Sequence, residues 1–285
     1  MGRVFSLDEI RRGMVPKIGS FDKSVQEIRA RLASTEGVLG AVICGSALSG
    51  TITVRSDIDC VVVYERERRN PALEALRSLH GFAASLHVPT EFIPIDSVVA
   101  AQGLHSIGRS FATHLERAAN RGGVIKYDPL AFIRFPDRDS RRELVLDVMS
   151  YLTHKIRRFE KGLVELPVMN PANTELYRFL QKVLESPIHI ARKVMCLSAT
   201  EYCDDSREEV KKRYPRMVRM GLAEPFQILV QEDEDYSWAL DEQIRNPEDR
   251  EGRYDAVLER VKRRAFWALE FARRNAIFVS NVHSV

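Results

Sequence analysis

The sequence predicts an α+β chain, with an α/β domain over residues 1–137 and an all-helical bundle over residues 138–285. Three observations predict it. Short, continuous, β-branched runs alternate with amphipathic stretches as far as Pro136, as expected of strands and helices packed in layers. Beyond Pro136 apolar residues recur three and four apart, and no strand-like alternation competes. A polar, charged stretch, Asp137 to Ser140, separates the two textures and reads as the boundary.

The elements follow in order. Phe21 to Ala33 reads as a helix, with Val25, Ile28, Ala30 and Leu32 as a partial apolar stripe, and Gly37 closes it. Val38 to Ile43 is the first strand, and Ser46 to Val54 a short helix and turn bent at Gly50 and Thr51. Asp57-Ile58-Asp59 opens an apolar run through Tyr64 that is short and β-branched enough to be a buried strand. Asn70-Pro71 starts a helix to about Leu86, and Val88 to Ile95 is the next strand. Residues 97–120 are expected to be helical, and Gly122-Gly123 leads into a short strand and turn over residues 124–129. In the second half Leu144, Val145, Val148, Met149, Leu152, Ile156 and Phe159 mark a long helix. Leu176 to Leu184 mark another, and a further stretch from Ile188 to Leu197 follows Pro187. The last helix runs from about Arg253 to Asn275, with Val257, Leu258, Val261, Ala265, Phe266 and Leu269 inward. The acidic run Glu232 to Asp235 is expected in a solvated loop.

Composition bounds the function. Basic and acidic residues nearly balance, 43 against 40, so no polycationic surface demands a nucleic-acid partner. The cysteines (Cys44, Cys60, Cys196 and Cys203) have no C-x-x-C or zinc spacing and suit a reducing, cytoplasmic setting. No membrane span or secretory leader is expected, and the loose acylation match Met1 to Ser6 reads as chance. The histidines form no H-x-x-x-H or H-E-x-x-H spacing, which argues against a histidine metal site.

The chemistry concentrates at two motifs. Asp57 and Asp59 lie two apart at the mouth of a buried strand, so they project from one face about 6–7 Å apart along the chain. Such a pair repels itself and needs a neutralising partner, and hard carboxylate oxygens suit a divalent cation such as magnesium. Gly45-Ser46 supplies a turn where backbone can approach a phosphate closely.

The string Ile43-Cys44-Gly45-Ser46, followed by Ser56-Asp57-Ile58-Asp59-Cys60-Val61-Val62, resembles the nucleotidyltransferases of the DNA polymerase β type. It is closest in style to the small prokaryotic members, such as aminoglycoside-type and minimal nucleotidyltransferases, over roughly residues 20–135. The resemblance implies a nucleotidyltransferase fold for the first domain and magnesium as cofactor, with manganese as an alternative. It implies Asp57 and Asp59 as metal ligands, with a third acid on a later strand. Glu91, in Thr90-Glu91-Phe92-Ile93, is the leading choice and Asp96 the competitor. Gly45 and Ser46 would hold the outer phosphates of a nucleoside triphosphate, ATP by default. Ser56 would either touch phosphate or only shape the strand start.

The implied reaction moves a nucleoside monophosphate to an acceptor hydroxyl with release of pyrophosphate, Glu91 serving as base or metal ligand. The helical half would select the acceptor, a small molecule being favoured over RNA or protein. The basic clusters Lys211-Lys212-Arg213 with Arg216 and Arg219, and Arg260 with Lys262, Arg263 and Arg264, read as solvated helix faces. Lys193 could reach the nucleotide or simply snorkel. Two other classes stay open: an RNA- or protein-modifying enzyme of a toxin–antitoxin or defence system, and a non-catalytic nucleotide-binding module. A ribonuclease role for the bundle is disfavoured, because the Arg-x4-6-His spacing occurs only at Arg109 and His114, before the bundle.

Overall fold

Two strands that are apolar on both faces set the architecture of the first unit. Val38–Cys44 (β1) and Ile58–Tyr64 (β2) are buried along almost their whole length, so helices must cover the sheet on either side. In the computed structural model, which describes residues 2–105, 107, 109–135, 140–166, 174–198, 207–218, 220–246 and 252–282, they do. The described chain divides into a unit Met14–Arg138 and a unit made of Gly2–Gly13 with Asp139–Val285. Cys203, Arg219 and the expected boundary residues 137–139 lie outside the described residues.

The elements of the N-terminal segment and first unit are α1 (Leu7–Arg11), α2 (Ile18–Ser34), β1, α3 (Ser46–Ser49), β2, α4 (Arg69–Ser85), β3 (Thr90–Asp96), α5 (Ser97–Ala101), α6 (Arg109–Ala118) and β4 (Val124–Ile125). The sheet runs β3-β2-β1-β4, with β2 and β3 parallel through the α4 crossover and the other pairs antiparallel. Phe21, Ile28 and Leu32 of α2 and Ala72, Leu76 and Leu79 of α4 pack on one face, against Ala41, Ile43, Ile58, Cys60 and Val62. Ala100 of α5 and Leu115 and Ala118 of α6 cover the other, against Val42, Cys44, Val61 and Val63. The expected helix over residues 97–120 is two helices, because Gly103 takes the left-handed conformation between them (φ 69°).

The second unit is helical: α7 (Ser140–Glu165), α8 (Thr174–Ser198), α9 (Arg207–Met217), α10 (Met220–Arg245) and α11 (Arg253–Val282). Four expectations change here. Helix α8 continues through Pro187 rather than stopping, because its buried stripe runs unbroken from Leu180, Val183 and Leu184 to Ile188, Ala191 and Val194. The acidic run is not a loop but lies inside α10, with Glu232 and Asp233 buried. Its carboxylates answer the basic clusters: Arg207 pairs with Asp233, Lys211 reaches Glu234 at 2.7 Å, Arg260 reaches Asp235 at 2.8 Å, and Arg264 reaches Glu232 at 3.4 Å. Phe266 points outward, one position off the buried stripe of Val261, Ala265 and Leu269. The segment Gly2–Gly13, placed by sequence in the first domain, packs with the helical unit.

That last docking has a clear cause. Phe5 is fully buried, and its N–H donates to the Tyr236 hydroxyl at 2.9 Å, which sits 3.3 Å from that of Tyr254. Ser6 and Glu9 close a reciprocal cap on α1, holding the segment in register. Cys44, Cys60 and Cys196 are buried free thiols, and no described helix is long and apolar enough to cross a membrane. Phe5→Ala is expected to remove about 3–5 kcal/mol from the helical unit. Chemical denaturation followed by Trp238 and Trp267 fluorescence tests this, since both tryptophans lie in that unit. An unchanged midpoint would show that the segment is not part of its core.

Candidate active site

The candidate residues meet at one end of the sheet for reasons of strand direction. Because β1 runs antiparallel to β2, its C-terminal residue Cys44 pairs with Asp59, near the start of β2. Because β3 runs parallel to β2, its own start is brought level, and Asp59 pairs with Glu91. Alternation then puts Asp59 and Glu91 on the face covered by α5 and α6, the side of Cys44, Val61 and Ile93. Asp57 precedes the strand by one residue, at the same edge.

Gly45 makes the adjacent turn. Its φ of 83° lies in the region that favours glycine, and a side chain added there would stand 3.7 Å from Asp59 Oδ2. Backbone thus passes directly beside the Asp59 carboxylate, and Ser46 opens the short helix α3. The Cys44 thiol lies 3.6 Å from the Asp59 carbonyl, and burial together with the nearby acids pushes its pKa up, so it packs as a neutral group.

Asp59 is the electrostatic centre. Its Oδ1 is buried and has no hydrogen-bond partner among the described residues. Burial first, then the charge of Asp57 and that of Glu91, push its pKa up to about 7, while the His114 ring on α6 pulls it back. An orphaned carboxylate oxygen beside a second acid fits a cation. Among the described residues no group of three His, Cys, Asp or Glu converges into a ready-made metal cage.

The remaining candidates separate. Glu91 is exposed beside Asp59. Asp96 lies five residues farther along β3 and is occupied: it accepts the Val98 and Val99 N–H groups as the cap of α5 and pairs with Arg66 at 3.0 Å. The Arg66 hydrogen bond holds its carboxyl below the usual range. Ser56 is buried in the turn before the strand, where its Oγ accepts the Thr53 N–H at 3.0 Å and its own N–H donates to the Thr53 carbonyl. It builds the strand entry. Lys193, in the helical unit, pairs with Asp147 at 3.1 Å.

Two residues were not singled out from sequence. Arg55, only 5% exposed, is a buried cation two positions before Asp57, and its place in Arg55-Ser56-Asp57 was the available signal. His114 comes from α6, 55 residues beyond Asp59. It was noted only in a ribonuclease spacing, and nothing local marks it as a neighbour of the acids.

The raised Asp59 pKa has a definite sign. Between pH 4 and 7 the folded form holds a proton that the unfolded chain has released, so this group's contribution to stability falls as pH rises across that window. Metal-free protein should therefore lose melting temperature from pH 5.5 to 8 relative to Asp59→Asn, which flattens that slope. Millimolar magnesium should restore wild-type stability increasingly with pH, because cation and proton compete for one carboxylate. Matched slopes in the two proteins, without metal, would remove Asp59 as the titrating group.

Residues 25–104 match the family model described as a nucleotidyltransferase domain, a span that includes Gly45, Ser46, Asp57, Asp59 and Glu91. Proteins of this family generally use divalent metal ions. No curated protein matches the sequence. Among solved structures, spectinomycin adenyltransferase AAD(9) from Enterococcus faecialis, crystallised with ATP and spectinomycin, aligns at 11% identity and a TM-score of 0.44, over 86% of this chain and 99% of its own. The α+β unit that carries Asp57, Asp59 and Glu91 holds a nucleotidyltransferase domain, matched over residues 25–104.

Proposed function

We propose that the protein transfers a nucleoside monophosphate from a nucleoside triphosphate, ATP by default, to the hydroxyl of a small-molecule acceptor with release of pyrophosphate. The observation that carries this reading is the buried, unpartnered Asp59 Oδ1 set between Asp57 and Glu91. A divalent ion held by Asp57 and Asp59, magnesium by preference and manganese as the alternative, would neutralise the phosphate oxygens and the charge developing at the α-phosphorus.

The chain's own residues supply the rest. Gly45, with no side chain, lets backbone approach the outer phosphates, and Ser46 adds a hydroxyl and an N–H there. Ser56 acts indirectly, by holding the turn that aims Asp57. Glu91 is exposed, so it can meet an incoming acceptor, accepting the hydroxyl proton or lending its charge to the cation. The acceptor oxygen then bonds to the α-phosphorus, the bond to the bridging oxygen breaks, and the electron pair leaves with pyrophosphate. The His114 ring on α6 lowers the Asp59 pKa and so eases its ionisation. We assign acceptor binding to the helical unit, residues 139–285 with Gly2–Gly13. Three buried free thiols suit a reducing compartment such as the cytoplasm.

The decisive experiment incubates the protein with each labelled nucleoside triphosphate, magnesium, and separate pools of small alcohols, RNA and protein. Label should enter the small-molecule pool, and Asp57→Ala or Asp59→Ala should lower the rate by several orders of magnitude. Glu91→Gln should lower the rate roughly 10²–10⁴-fold while leaving nucleotide binding intact. Asp96→Asn should leave the rate within a few-fold and lower the melting temperature, since that carboxylate caps α5. Equal losses for Glu91→Gln and Asp96→Asn would overturn the role given to Glu91.

A further inference from the structure

The helical unit buries a second group of charges that the nucleotidyltransferase site does not use. On α7, Asp147, Tyr151 and Lys155 fall four apart on one face. On α8, which packs against it, Lys182, Glu185, His189 and Arg192 line the facing side. Lys155 is 6% exposed, yet it makes no hydrogen bond or ion pair with another described residue; its Nζ stands 5.1 Å from the centre of the Tyr151 ring. Glu185 takes Lys182 Nζ at 2.5 Å on one oxygen, while its other oxygen, Oε2, is buried with no hydrogen-bond partner among the described residues.

Burial pushes the Lys155 ammonium down to about 8, and burial beside Arg192, Lys155 and Lys182 holds His189 well below its usual range, hence neutral. An unused ammonium and an unused carboxylate oxygen in one seam are costly unless something completes them. A ligand that completes the seam therefore carries negative charge for Lys155 and a hydroxyl donor for Glu185 Oε2.

We propose that the α7–α8 seam binds a small hydroxyl-bearing anion, its carboxylate or phosphate oxygens on Lys155 and its hydroxyl on Glu185. On the reading that the helical unit holds the acceptor, the acceptor is then an acidic hydroxylated molecule and not a polycation.

The test is calorimetric titration of the full chain, in EDTA at fixed ionic strength. The probes are citrate, tricarballylate (the same tricarboxylate without the hydroxyl), inorganic phosphate and spermidine. Citrate should bind at one site, several-fold tighter than tricarballylate, and spermidine should not bind. Phosphate binding tighter than citrate would name a phosphate ester as the source, and weaker binding a hydroxycarboxylate. Lys155→Met should weaken citrate at least about tenfold, while Lys155→Arg keeps it within about threefold, which separates charge from fold. Glu185→Gln should erase the preference for citrate over tricarballylate. The Asp57→Asn, Asp59→Asn double variant should bind citrate like the wild type. That control also separates the two ideas, since absent nucleotidyl transfer would leave anion binding untouched. The proposal falls if neither anion binds saturably, if spermidine binds instead, or if the double variant loses binding and so moves the anion to the catalytic unit.

Discussion

Repulsion between Asp57 and Asp59 at the head of β2 is the constraint around which the first unit is arranged. Six of the strand's seven residues, all but Asp59, are buried between two helical layers, so carboxylates are tolerable only at its mouth. There the sheet ends, and the Gly45 backbone passes beside the Asp59 carboxylate. The antiparallel pairing with β1 brings the glycine turn to this spot, and the parallel pairing with β3 brings Glu91. A sheet with either strand reversed would keep the same residues and lose the site.

The helical unit handles charge differently. Its acidic run lies along α10 against cations of α9 and α11, so that Glu232, Asp233, Glu234 and Asp235 each neutralise a partner from another helix. This is why those clusters are poor candidates for tracking a phosphate backbone. In the seam between α7 and α8, one oxygen of Glu185 is buried with no hydrogen-bond partner among the described residues, and Lys155 is buried against the Tyr151 ring.

What the sequence determined was local. Continuous β-branched runs identified β1 and β2, and helical spacing identified the apolar faces of α2, α4, α7 and most of α11, because period and residue type are properties of adjacent residues. The motif at Gly45-Ser46 and Asp57-x-Asp59 was legible for the same reason: its spacing is short and its chemistry specific. Pro187 misled because proline is a local penalty that a long buried stripe can outweigh, and the acidic run misled because its counter-charges lie on other helices. Tertiary structure alone decided the rest. Strand register set Glu91 beside Asp59 and left Asp96 to cap a helix. Packing of α6 over the sheet brought His114 to the acids, and Phe5 carried the N-terminal segment into the helical unit. Each of these depends on contacts between residues far apart in the chain, where no local pattern records which partner will be met.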